Sequence, residues 1–227
     1  MLKTFLKRFV FIFSLIFMFN NFHLFSQLNL YLKAGLNLSS VTVSNNADGF
    51  DKSTGFIPAY HGGIILHSTL DDEYSFETGI VYNVKGYKMD VLGINIHTYS
   101  TYIEIPIYFS YKLPSFSYFT TNNINIKVGP YYAFAIKELI RNSIMKKNVK
   151  GQIGKNQDAG DTLKPNDIGI NLGVDYFRKN IILGLNLGIG LLNNRPGGGK
   201  GNAVRNLSSQ FSLGYILNKN NDKTKEE

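Results

Sequence analysis

The chain of 227 residues contains no cysteine, which excludes disulfide stapling, thiol nucleophiles and zinc–thiolate sites at one stroke. Whatever fold it adopts must hold by backbone pairing and burial. It also lacks an apolar run of helix-spanning length. The longest, Phe9 to Phe19, is 11 residues with Ser14 inside it, short of the roughly 20 that cross hydrocarbon as a helix. No segment carries a helical period strong enough to compete with strand alternation.

The N-terminus reads as a secretory signal. Lys3, Lys7 and Arg8 precede the apolar run, polar Asn20, Asn21 and His23 come after it, and the small Ser26 closes the segment. We expect residues 1–26 to be removed by cleavage between Ser26 and Gln27. Loss of those three cations takes the net charge from +8 to +5 (8 − 3), with much of the excess between Lys137 and Lys164, where a solvated loop accounts for it. The remainder divides into one domain over residues 27–217 and a polar tail, NKNNDKTKEE, over residues 218–227.

What is present is period two. In LNLYLKAGLNL, Leu28 to Leu38, every even position is apolar, while the odd ones are Asn29, Tyr31, Lys33, Gly35 and Asn37. SFETGIVYNVK sets Phe76, Thr78, Ile80, Tyr82 and Val84 against Ser75, Glu77, Gly79, Asn83 and Lys85. YSTYIEIPIYFSYKL reverses the parity, with Ile103, Ile105, Ile107, Phe109, Tyr111 and Leu113 on one face and Ser100, Glu104, Ser110 and Lys112 on the other. INIKVGPYYAFAIK, DIGINLGVDY, IILGLNLGIGLL and LSSQFSLGYIL repeat the pattern, and AYHGGIILHS obeys it least regularly. Eight strands result.

The connections alternate in length. Leu70 to Glu73 and Arg178 to Lys179 are short, whereas Ser39 to Pro58, Glu138 to Pro165 and Asn193 to Ala203 are long and polar, and Met89 to Thr98 resembles a hairpin tip. Pro114 to Asn123 is longer than a strict short-turn side predicts. The polar face holds Gly, Asn and Ser with few charges, which suits a crowded interior better than open water. The apolar face, nearly pure Ile, Leu, Val and Phe, covers the 9 to 11 or so residues that a tilted strand needs to cross a bilayer. Closing the sheet pairs the backbone groups, as hydrocarbon requires. The expected fold is all-β: an eight-stranded antiparallel up-and-down transmembrane β-barrel in an outer membrane, its partners the surrounding lipids. Pro106 lies within a strand, so we expect a bulge or ladder break there.

The order of motifs, YLKAGLNLSS, ETGIVYNVKGYK, YIEIPIYFSYKL, VGPYYAF, DIGINLGVDY and FSLGYIL, resembles the porin-like, or PorT-like, family of small outer-membrane β-barrels over Leu28 to Leu217. That resemblance implies both termini on the periplasmic side and no assigned molecular activity. The polar tail and Arg205 near the loop end of the last strand depart from the usual pattern.

Parity places five charged residues inside: Lys33, Glu77, Glu104, Lys127 and Asp175. They read either as a salt-bridged plug or as a path for ions and small solutes, and the narrow interior favours the plug, with Glu77 and Glu104 engaging Lys33 and Lys127. No catalytic, cofactor or metal site is expected. His61 and His67, six residues apart on one strand, stand about 20 Å apart by rise per residue. His97 falls near a loop tip. PGGGKGN, Pro196 to Asn202, lacks the Ser or Thr and the helix of a phosphate loop. Nucleic acid is not an expected partner; an extracellular or envelope partner would be met through loops 39–58, 138–165 and 193–203. A small channel and a soluble lipocalin-like barrel with its apolar face inward are the alternatives.

Overall fold

Period-two alternation is realised as eight long strands in the computed structural model, which describes residues 28–44, 54–91, 94–114, 123–142, 148–197 and 203–218. They are β1 (Leu28–Ser44), β2 (Ile57–Thr69), β3 (Tyr74–Val91), β4 (Ile94–Lys112), β5 (Ile124–Asn142), β6 (Asn166–Arg178), β7 (Ile181–Gly190) and β8 (Ala203–Asn218). Each pairs antiparallel with its sequence neighbours, and β1 pairs with β8, so the sheet closes without an edge. Two short strands, Thr54–Gly55 and Asn148–Lys150, extend β3 and β5 at the long-loop end. Residues 1–27, expected to hold the signal, the glycine-rich residues 198–202 and the tail beyond Asn218 lie outside the described residues.

The alternation sorts by face as expected. Leu36 and Ile80 are 68% and 62% exposed on the outside, while Lys33, Asn37, Glu77, Glu104, Lys127, Asn171 and Asp175 are buried inside. This overturns the lipocalin-like alternative, which needs the apolar set inward. Val84 lies between the inward Asn83 and Lys85, on the outward parity, yet is buried. There the β2–β3 ladder opens, and the Asn37 amide donates to the carbonyls of Tyr60 and Val84 at 3.3 and 2.8 Å.

Pro106 stays in its strand. The β3–β4 ladder skips the pairs opposite Ile105 and Pro106 and resumes in the same register, and the β4–β5 ladder skips those opposite Gly129 and Pro130. Proline has no N–H to give, so the local answer is a ladder break without a slip. A true irregularity occurs higher up, where Thr101 faces Lys137 but Tyr102 faces Ala135. The extra residue in β5 reverses parity above it and turns Glu138 and Ile140 inward.

The strands outrun their apolar stretches. β3, β4 and β5 have 18, 19 and 19 residues, and Ser39–Ser44, Met89–Val91, Ile94–Thr98 and Glu138–Asn142, expected in connections, are strand. Above the lipid the outward face need not be apolar, so pairing continues where the hydropathy pattern fades.

Candidate functional site: the barrel interior and its outer mouth

The interior is layered. Near the short turns, Tyr31, Ile65, Ile182 and Ile216 form an apolar floor, with the His67 ring stacked on Tyr31 at 4.9 Å. Above it four charges from four strands meet. Lys33 of β1 and Lys127 of β5 approach one Asp175 oxygen at 2.6 and 2.7 Å and Glu77 at 3.6 and 3.5 Å. His67 reaches Glu77 at 3.4 Å. Two cations and two anions thus sit together where neither sign could be buried cheaply alone.

A neutral belt lies above them. His61 bridges Asn37 at 2.5 Å and Ser212 at 2.8 Å, and the Asn37 amide donates to Asn83. Next comes a second charged layer around Lys85, whose ammonium stands 2.9 Å from Glu104 and 3.4 Å from Asp167 and lies 4.0 Å from the centre of the Tyr131 ring. Asn83 and Asn171 donate to Glu104 at 2.8 and 3.3 Å. Tyr131 and Asn206 donate to Asp167 at 3.0 and 2.8 Å. Tyr102, Tyr131, Ala133 and Ala135 then pack against Leu163, which the β5–β6 connection drops into the mouth.

Four of the five charged positions read from parity therefore meet: Lys33, Glu77, Lys127 and Asp175. Glu104 does not join Lys33 or Lys127, and its partner is Lys85. This corrects the expected pairing, because Glu104 is paired with Val81, four residues further up β3 than Glu77, whose ladder partner in β4 is Tyr108. Lys85 was already on inward parity, and Asp167 shares the odd parity of Asp175 in β6, so both were findable as lumen residues. Which charges face one another across the ring follows from strand tilt, and parity carries no record of it.

Above Leu163 the mouth widens into a half-open cavity of about 400 Å³, with Val41, Met89, Ile96, Glu138, Ile140 and Val204 in its wall. Glu138 accepts from Ser100 at 3.4 Å and from Thr162 of the β5–β6 connection, fastening that connection to the rim. The Lys164 N–H donates to the Asn194 carbonyl at 2.9 Å, joining two connections. Among the described residues no three histidines or acids are grouped to hold a metal.

The family model described as the outer membrane protein beta-barrel domain matches residues 20–195. This chain belongs to that family. The barrel protein is accordingly an integral protein of the Gram-negative outer membrane. Among solved structures it is similar to Ail, the attachment invasion locus protein of Yersinia pestis, at 8% identity over 84% of this chain and 99% of that one, TM-score 0.46. It is also similar to Neisserial surface protein A, at 11% over 82% and 96%, TM-score 0.45, and to E. coli outer membrane protein W, at 14% over 83% and 97%, TM-score 0.39. No curated protein matches it. In the barrel protein the lipid-facing residues are those read as the apolar face, the buried Val84 excepted, and the charged layers lie within the ring they enclose.

Proposed function

We propose that the barrel protein is a non-enzymatic, non-conducting envelope protein of the PorT-like kind, exported by a cleaved signal over residues 1–26 and acting through its long-loop end. The carrying observation is the buried quartet of Lys33, Glu77, Lys127 and Asp175. Stacked between the apolar floor and the Lys85 layer, it leaves a cavity of only about 30 Å³ bordered by Lys33, Glu77 and Lys127, room for about one water molecule. A solute would have to break buried ion pairs before it could pass. The loops then remain as the means of meeting an extracellular or envelope partner, with outer-membrane lipid around the wall and both termini in the periplasm. Proteoliposome swelling tests this. Vesicles carrying the protein should swell in small uncharged solutes no faster than empty vesicles, and swelling that scales with protein content and falls with solute size would establish the small-channel alternative instead.

A further inference from the structure

On the outer wall above the apolar belt, basic residues gather on one side of the barrel. Lys88 of β3 is paired with His97 of β4, and His97 with Arg141 of β5, so the three stand side by side in one row across three strands. Parity turns the row outward. Lower on the same wall, Lys150 is paired with Leu139, and Lys137 directly follows Ile136, an exposed residue of the apolar belt. Lys88, Lys137, Arg141 and Lys150 are all exposed, and among the described residues one exposed carboxylate, Asp90, adjoins them. The opposite side differs. At the upper ends of β6 and β7 the exposed outward residues are Ile168, Ile189 and Leu191, and Arg205 of β8 donates to the Leu191 carbonyl at 3.1 Å. The tall β3–β5 wall thus carries cations from the rim of the hydrocarbon upward.

We propose that this wall is a docking site for the phosphate groups of the outer-leaflet lipid, the lipid A part of lipopolysaccharide. Charge complementarity and height select that occupant. Lys137 emerges at the hydrocarbon boundary, where lipid phosphates sit, and Lys150, Lys88 and Arg141 continue into the headgroup layer, while Ile136 and Phe134 below meet the acyl chains. Lysines supply point charges to the phosphate, and the Arg141 guanidinium can offer it two parallel N–H groups. Basic clusters beside a membrane-spanning element attract anionic headgroups in this way. The site rests on the orientation proposed above, with the long-loop end outside.

The test uses the full chain refolded from denaturant into neutral micelles, free of native lipid, with diphosphoryl lipid A titrated in and adducts counted by native mass spectrometry. The wild type should bind saturably. The K88Q/K137Q/R141Q/K150Q variant should bind about tenfold more weakly or worse, while K112Q/K155Q/K164Q/R178Q, with the same charge removed elsewhere, should match the wild type. Equal loss in both variants would reduce the effect to net charge and overturn the site. So would equal affinity for dephosphorylated lipid A, which would leave only acyl contacts with the belt. Should the first variant fail to fold, the wild type alone decides: raising salt from about 0.05 to 0.5 M should weaken diphosphoryl lipid A binding strongly, and salt-independent binding contradicts the site. A saturable acidic glycan or protein competitor that binds the same four residues while lipid A does not would also overturn it. Micelle binding is blind to cellular orientation, so a wrong orientation would show only on intact cells.

Discussion

Glu77 and Lys85 hold the most contested positions in the interior, one touching two lysines and a histidine, the other touching two carboxylates while lying over a tyrosine ring. Glu77→Gln leaves Lys33 and Lys127 sharing only Asp175, and we expect it to destabilise the barrel by about 3 kcal/mol or more. A second change, Lys33→Met or Lys127→Met, should restore part of that loss, because removing both partners spares the unpaired charge. Urea unfolding in micelles reads both; a double variant worse than the sum of its singles would contradict the pairing. Lys85→Met should do more damage than Glu104→Gln, since it strands Glu104 and Asp167 together without a cation. The reverse ranking would show that Lys85 is not the centre of the upper layer.

At the scale of the strand, the outward face is judged by lipid. Leu185→Arg in β7, near mid-belt, should cost about 2 to 4 kcal/mol, and Thr42→Arg on the outward face of β1 near its upper end about 1 kcal/mol or less. Equal costs would mean that the apolar belt does not mark the bilayer. The strands themselves were legible because lipid outside and a crowded lumen inside write a period of two into every crossing. Their upper ends were not, since outside the bilayer nothing obliges Lys88, Lys137 or Arg141 to be apolar. The β5 bulge was equally silent. Ile136 and Lys137 differ in hydropathy like any alternating pair, so the parity reversal that brings Glu138 inside leaves no trace in the pattern. In the same way Lys33, Glu77, Lys127 and Asp175 could be placed inside by parity, whereas the assignment of Glu104 to Lys85 needed the register of β3 against β4.

For the whole molecule, the even ring of strands puts both ends of the described chain, Leu28 and Asn218, on the side of the Leu70–Glu73 turn, with the long β1–β2, β5–β6 and β7–β8 connections at the other end. Trypsin added to intact cells should therefore cut in the β5–β6 connection, at Lys155 for instance, while a Glu-specific protease added in the same way should leave the Leu70–Glu73 turn uncut; the opposite pattern would invert the topology. The layered interior makes the broader claim that a ring of eight strands is filled from floor to mouth by its own side chains. Planar bilayer recording tests that claim most directly. Purified, unmodified protein inserted into the bilayer should show no steady conductance above the bare membrane, and large, reproducible single-channel steps would contradict a lumen closed by Lys33, Glu77, Lys127 and Asp175.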